Sequence, residues 1–194
     1  MRARSFLSVA LLTAAALTLT GCGSDTATPA GGAAGTSNST ASSAPSTAGA
    51  DPSAPAATVV PEALRFTGTT VDGKPFDGTS LAGKPTVLWF WAPWCPKCKA
   101  QGPETAKVAE QFQGKANVVG VAGLDKQAAM KEFVTSTGVG AFPNLSDEAG
   151  GIWKRFEITQ QSVYVVLDKD GKTVFTGNLP AGKGLADKVA KLVG

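Results

Sequence analysis

The chain of 194 residues contains no histidine. Serine and cysteine hydrolases that move a proton through an imidazole are therefore excluded, as are copper and zinc sites ligated by histidine. No GxxxxGK[ST] loop or GxGxxG fingerprint occurs, so no nucleotide is implied. Cysteine is scarce, with only Cys22, Cys95 and Cys98. Zinc takes four ligands, and three cysteines without histidine fall short. An excess of charge is missing too. The 18 Lys and Arg residues face 15 Asp and Glu, and two of those arginines, Arg2 and Arg4, lie in the first 21 residues. No basic stripe or RNA-binding motif supports a nucleic-acid partner.

What is present is a dithiol. Cys95 and Cys98 stand in Trp91-Ala92-Pro93-Trp94-Cys95-Pro96-Lys97-Cys98-Lys99. The apolar Thr86 to Trp91 before it is predicted as a buried strand, and Ala100 to Phe112 after it as a helix. The first cysteine then sits at a helix N-terminus, where unpaired N–H groups and the dipole favour a negative charge. Such thiols fall from roughly 8.5 to about 3.5–7.5 in pKa. Pro96 suits the first helical turn, and Lys97 and Lys99 add positive charge with no acid inside the loop. Cys95 reads as the attacking thiol, and Cys98, one turn on and more buried, as the resolving one. A purely structural disulfide would close a ring too small to restrict the unfolded chain much. Pro93, Pro96 and Lys97 mark an exposed turn, which argues against a buried inert pair. Dithiol exchange needs no cofactor and no metal.

The N-terminus suggests a location. Residues 1–21 combine two arginines with an apolar run from Phe6 to Leu19, the pattern of a secretory signal, too short to read as a membrane span. Leu19-Thr20-Gly21-Cys22 resembles the lipobox of bacterial lipoproteins. That resemblance implies an acylated Cys22 as the new N-terminus, anchored to the lipid bilayer on the extracytoplasmic side. Residues 22–60 are almost all Ala, Gly, Ser, Thr and Pro and read as a flexible linker; a recognition segment or glycosylated stalk is the alternative. The compartment is then disulfide-permissive.

Residues 61–194 suffice for one domain with a core. Leu64 to Thr69 alternates as a strand, and Val71-Asp72-Gly73-Lys74 turns it into a hairpin. Pro103 should kink the first helix. Further strands are predicted at Asn117 to Ala122, Val163 to Leu167 and Thr173 to Thr176. Helices are predicted at Asp125 to Thr137, Gly150 to Phe156 and Leu185 to Leu192. Strand–helix–strand–helix followed by a hairpin and a helix gives an α/β sandwich with a mixed sheet, the dithiol lying at the carboxyl end of a central strand.

These residues resemble the thioredoxin fold, and within it the extracytoplasmic thiol-disulfide oxidoreductases of the TlpA, ResA and DsbE type. The stretch Phe90 to Cys98 is similar to their active site, and Gly83-Lys84-Pro85 before the strand is typical of them. Closest are the actinobacterial DsbE-like proteins. The resemblance implies a three-layer α/β sandwich with an N-terminal β-hairpin and a monomer that exchanges disulfides with exported proteins. It also implies a membrane redox partner linked to quinone. Trp91, Trp94 and the turn Gln160, Gln161 and Ser162 would form the rim that meets substrate.

Two departures stand out. Ser162 occupies the position of the family's cis-proline, and without proline a trans bond is expected. Gln101 replaces a glutamate three residues past the second cysteine, and Trp89 lies where thioredoxins keep a buried acid. Glu104, the nearest acid on the helix, is expected in solvent. The leading expectation is an oxidase of exported thiols. A reductase preparing apocytochrome thiols runs the same steps backwards, and a non-catalytic binding lipoprotein is the rival from another class. A peroxidase fits less well, because Ala92 replaces the threonine usual three residues before the reactive cysteine.

Overall fold

A computed structural model describes residues 59–194. The expectations for residues 1–21, for the linker up to residue 58 and for Cys22 lie outside the described residues. Strands β1 (Thr67–Thr69) and β2 (Pro75–Asp77) form an antiparallel hairpin, with Gly68 opposite Phe76. The turn between them reverses at Gly73, whose φ of +81° suits a residue without Cβ. β1 is shorter than the predicted Leu64 to Thr69. Glu62–Leu64 instead winds into a 3₁₀ turn, from which Leu64 reaches the core.

The main sheet contains β3 (Thr86–Trp91), β4 (Asn117–Ala122), β5 (Asn144–Ser146), β6 (Val163–Leu167) and β7 (Thr173–Gly177), in the order β5-β4-β3-β6-β7. β3 is parallel to β4, with Trp91 opposite Ala122, and antiparallel to β6, with Phe90 opposite Val163. All six residues of β3 are buried, as expected of a strand covered on both faces. β5 escaped the sequence reading. Three residues are too few to show a period, and the strand exists because it pairs with β4 from Gly120 to Ala122.

Four helices complete the fold: α1 (Pro96–Gln111), α2 (Gln127–Thr137), α3 (Gly151–Arg155) and α4 (Leu185–Val193). Pro103 lies inside α1 without ending it. The period of two in β3 divides the core. Val87, Trp89 and Trp91 pack with Val108 of α1, Phe133 of α2 and Val189 of α4. Leu88 and Phe90 face the other way, against Leu64, Phe66, Ile152 and Trp153. Helix, sheet and an outer layer of hairpin and short helices make the thioredoxin-like three-layer sandwich.

Pro61 packs against Gly171 in the β6–β7 turn. Since β6 runs antiparallel to β3, that turn lies at the end of the sheet where β3 begins. The described chain therefore enters at the end opposite to Trp91.

One close approach holds the sheet's other side together. The Trp91 indole donates to Asn144 Oδ1 at 3.1 Å, and the Asn144 amide donates to the carbonyls of Val139 and Phe142. Gly120 lies beneath this pair, and a Cβ there would overlap Asn144 Oδ1 and stand 2.8 Å from Trp91 Nε1. Gly120→Ala should therefore lower unfolding free energy by about 3 kcal/mol through overpacking and a broken buried hydrogen bond. Urea denaturation of the two proteins measures it.

Candidate active site

β3 ends at Trp91 and α1 begins at Pro96, so Ala92 to Cys95 must turn the chain from sheet to helix. Cys95 takes the N-cap with extended backbone, φ −84° and ψ 112°, and Pro96 fills the first helical position. The Cys98 N–H donates to Cys95 Sγ at 3.1 Å, and the Lys99 N–H to the Cys95 carbonyl at 3.1 Å. The cysteine sulfur thus does what a serine or aspartate oxygen does at other helix starts. Cys95 and Cys98 are joined as a disulfide with their Cα atoms 5.2 Å apart.

Cys95 is 2% exposed and Cys98 fully buried, so the Cys95 sulfur is the one nearer to solvent. When that sulfur is released as a thiolate, the same N–H and the helix end favour its charge. Lys97 and Lys99 are exposed beside it and take part in no ion pair among the described residues.

One turn beyond Cys98, Gln101 is 1% exposed and every polar atom of its side chain is used. Its Oε1 accepts from the Trp89 indole at 2.9 Å, and its Nε2 donates to the carbonyls of Ser162 at 3.2 Å and Leu179 at 3.0 Å. An indole only donates and a carbonyl only accepts, so the partners fix the amide orientation. Behind it, the Thr105 hydroxyl donates to the Gln101 carbonyl and meets the Tyr164 hydroxyl at 2.7 Å. Burial pushes the Tyr164 phenol well above its ordinary range, against the smaller pull of the Thr105 hydrogen bond. The groups bonded around Gln101 are thus all uncharged. Glu104 is half-buried rather than in solvent, its Cβ and Cγ lying against the backbone at Gly182.

Two expected rim residues are not on the rim. Trp91 is fully buried, stacked on Phe133 with ring centroids 4.2 Å apart and bonded to Asn144. It points into the helical side of the core because Trp89 does, two residues earlier on the same strand. Ser162 is 2% exposed. Its N–H donates to the Phe90 carbonyl, its carbonyl accepts from Gln101 and Asn178, and its hydroxyl accepts from Asn178. Its polar groups are all used within the protein. No cis peptide occurs among the described residues, and Ser162 instead takes a left-handed φ of +71°.

Gln160 is exposed and Gln161 half-buried. Trp94 is 53% exposed and its indole donates to the Leu124 carbonyl at 3.3 Å. Leu124, 54% exposed, is the neighbour that the sequence reading missed. A leucine in Gly123-Leu124-Asp125 between a strand and a helix was the available signal. Among the described residues, no group of three or more Cys, Asp or Glu could hold a metal ion.

The AhpC/TSA family pattern matches residues 59–175. The chain belongs to the AhpC/TSA family. Soluble secreted antigen MPT53 of Mycobacterium tuberculosis is 41% identical over 141 residues, 71% of this chain and 80% of that protein. The thiol-disulfide oxidoreductase ResA of Bacillus cereus is 27% identical over 114 residues, 58% of this chain and 65% of that one. A solved secreted Mycobacterium tuberculosis disulfide oxidoreductase homologous to E. coli DsbE is 41% identical. It covers 68% of this chain and 98% of its own, with a TM-score of 0.62. The protein is a thiol-disulfide oxidoreductase of the DsbE and ResA type, on a thioredoxin-like fold.

The Gln101 arrangement has a measurable consequence. In Gln101→Glu, an ionised carboxylate would face two carbonyl oxygens in a buried site, whereas the protonated acid could donate to one of them. The folded-state pKa of the new acid is then raised above its unfolded value of about 4.3, by up to 3–5 units. Stability is retained below the unfolded pKa and lost as pH rises through the folded one. The variant should match the wild type at pH 4 and be about 2–4 kcal/mol less stable at pH 8. Denaturation at the two pH values checks it.

Proposed function

We infer that this oxidoreductase is held on the outer face of the cell membrane by an acylated Cys22 and oxidises the thiols of exported proteins. The observation that carries the oxidising direction is the Cys95 sulfur at the head of α1, accepting the Cys98 N–H. A thiolate favoured there makes the reduced enzyme more stable and its disulfide a stronger oxidant. Gln101 supports the same direction, since no carboxylate stands among its hydrogen-bond partners to oppose the charge.

The exchange proceeds in two balanced steps. A substrate thiolate attacks Cys95 Sγ; the Cys95–Cys98 bond breaks and its electron pair leaves on Cys98. A second substrate thiolate then attacks the substrate sulfur of the mixed disulfide and expels Cys95 as a thiolate. The substrate gains a disulfide and the enzyme holds two electrons. A membrane partner linked to quinone would remove them. Trp94 and the Gln160–Gln161 turn are the exposed parts of the rim, with Pro96 and Lys97 shaping the loop.

MPT53 is named a soluble secreted antigen, which supports an extracytoplasmic location. Among the described residues no helix is long and apolar enough to cross a membrane; the anchor of this reading is the acylated Cys22. The chain enters the described domain at Pro61, at the sheet end opposite to Cys95.

Equilibration with glutathione buffers should give a reduction potential above about −200 mV, toward the oxidising disulfides near −120 mV. A value below about −250 mV, near the thioredoxin range, overturns the oxidase and favours the reductase.

Two acyl chains anchor a protein stably, because each buried CH₂ contributes about 0.8 kcal/mol. Wild type should sediment with membranes, and Cys22→Ser should appear in the soluble extracytoplasmic fraction. An unchanged distribution removes the anchor from the reading.

A further inference from the structure

Strand β4 is six residues long, but β5 covers only its second half, from Gly120 to Ala122. In a parallel ladder, alternate residues direct both N–H and C=O to the same neighbour. The Asn117 N–H donates to the Pro85 carbonyl, just ahead of β3, whereas the Gly120 N–H donates to the Pro143 carbonyl, just ahead of β5. Val118, two residues before Gly120, therefore turns its N–H and C=O toward the β5 side. Continuing that ladder would require the N–H of Pro143, which has none, and a carbonyl of Val139–Ala141, which is wound into a 3₁₀ turn. Among the described residues, neither polar group of the Val118 backbone has a hydrogen-bond partner. Val118 is only 6% exposed, and backbone groups so nearly removed from water call for a partner.

Val118 lines a groove of about 700 Å³ together with Leu81, Ala106, Ala109 and Phe142, and the exposed Lys107 and Glu110 flank it. Ligand sites hold about 300–1,000 Å³, so the space is adequate for several residues of a bound chain. One unpaired donor and one unpaired acceptor on the same strand residue match the backbone of an extended polypeptide. Such a segment would continue β5 in place of the missing ladder, its backbone paired with Val118 and its side chains in the apolar groove.

We propose that this groove is a second substrate site, which holds an extended stretch of an unfolded polypeptide by its main chain while a cysteine elsewhere in that polypeptide reaches Cys95. The choice of partner rests on the oxidoreductase reading, because an enzyme that exchanges disulfides with proteins meets unfolded chains. Ala122, opposite Trp91, lies four residues along β4 from Val118, or about 13 Å. A long polypeptide spans that distance and uses both sites, and a tetrapeptide cannot pair with Val118 and reach Cys95 together.

The test places the photo-crosslinker benzoylphenylalanine at the exposed groove position Gln113 of the full-length disulfide form. The probe is an extended peptide without cysteine, alternating valine and lysine, beside the same peptide N-methylated at alternate residues. The plain peptide should cross-link about tenfold more than the methylated one, the scale of two lost main-chain hydrogen bonds. A second variant, Ala141→Trp, fills the groove from an exposed position on its wall. It should raise KM about tenfold for a reduced dithiol polypeptide of about thirty residues and leave kcat unchanged. Its rates with a dithiol tetrapeptide and with dithiothreitol should match the wild type. No cross-link, equal cross-linking of both peptides, cross-links to residues 22–58 of the same chain or to a second copy, or an unchanged KM each overturns the second site while exchange itself stands. A wild-type disulfide that the polypeptide, the tetrapeptide and dithiothreitol all fail to reduce overturns the underlying reading as well.

Discussion

Strand β3 is paired along both edges and buried on both faces, and it hands the chain to α1 within four residues. Nothing in that strand can shift without breaking two ladders at once. Its end therefore fixes where the helix starts, and the helix start fixes the sulfur. The helix must have an acceptor for its first N–H groups, and Cys95 supplies it. The interaction that begins the helix is also the one that favours a thiolate, so folding and redox chemistry use a single contact.

Behind the dithiol, the protein relies on neutral groups. Gln101 ties α1 to β3 through Trp89, to the start of β6 through Ser162 and to the segment after β7 through Leu179. A charge at its centre would need a partner that two acceptors and one donor do not offer. Tyr164 keeps its proton for the same reason, being buried and satisfied by Thr105. The positive charge beside the pair lies at the helix end and on the exposed Lys97 and Lys99. Substrate access is correspondingly one-sided, since Cys98 is covered and Trp94 and Leu124 remain open.

Acids elsewhere serve as caps supplied by the tertiary structure. Lys126 starts α2 without a side-chain cap, and the Gln127 N–H instead donates to Glu148 at 2.8 Å. That backbone bond, helped by Lys126, holds the Glu148 carboxyl below its usual range. Asp147 accepts from the N–H groups of Gly151 and Trp153 and so starts α3. Adjacent carboxylates thus begin two different helices, one of them more than twenty residues earlier in the chain.

The long central strands, the CxxC turn and its polarity were legible in the residues themselves. Val, Trp and Phe in an unbroken run read as a strand covered on both faces, and two thiols three apart at a helix start can hardly avoid forming a small ring. The departures at Gln101 and Ser162 were legible as positions, but the network joining them was not. Gln101 and Ser162 are 61 residues apart, and no local pattern says that one bonds the other. Trp91 read as a rim residue, and only the packing of Phe133 and the bond to Asn144 of β5 show it to be core. Leu124 was passed over, because exposure depends on what packs nearby and not on the side chain's own chemistry. The sequence by itself determined the local elements and the reactive pair, which follow from short-range sterics and hydrogen bonding. Only the tertiary structure decided which groups around that pair are buried, neutral and satisfied, because those properties belong to neighbours that meet across the fold.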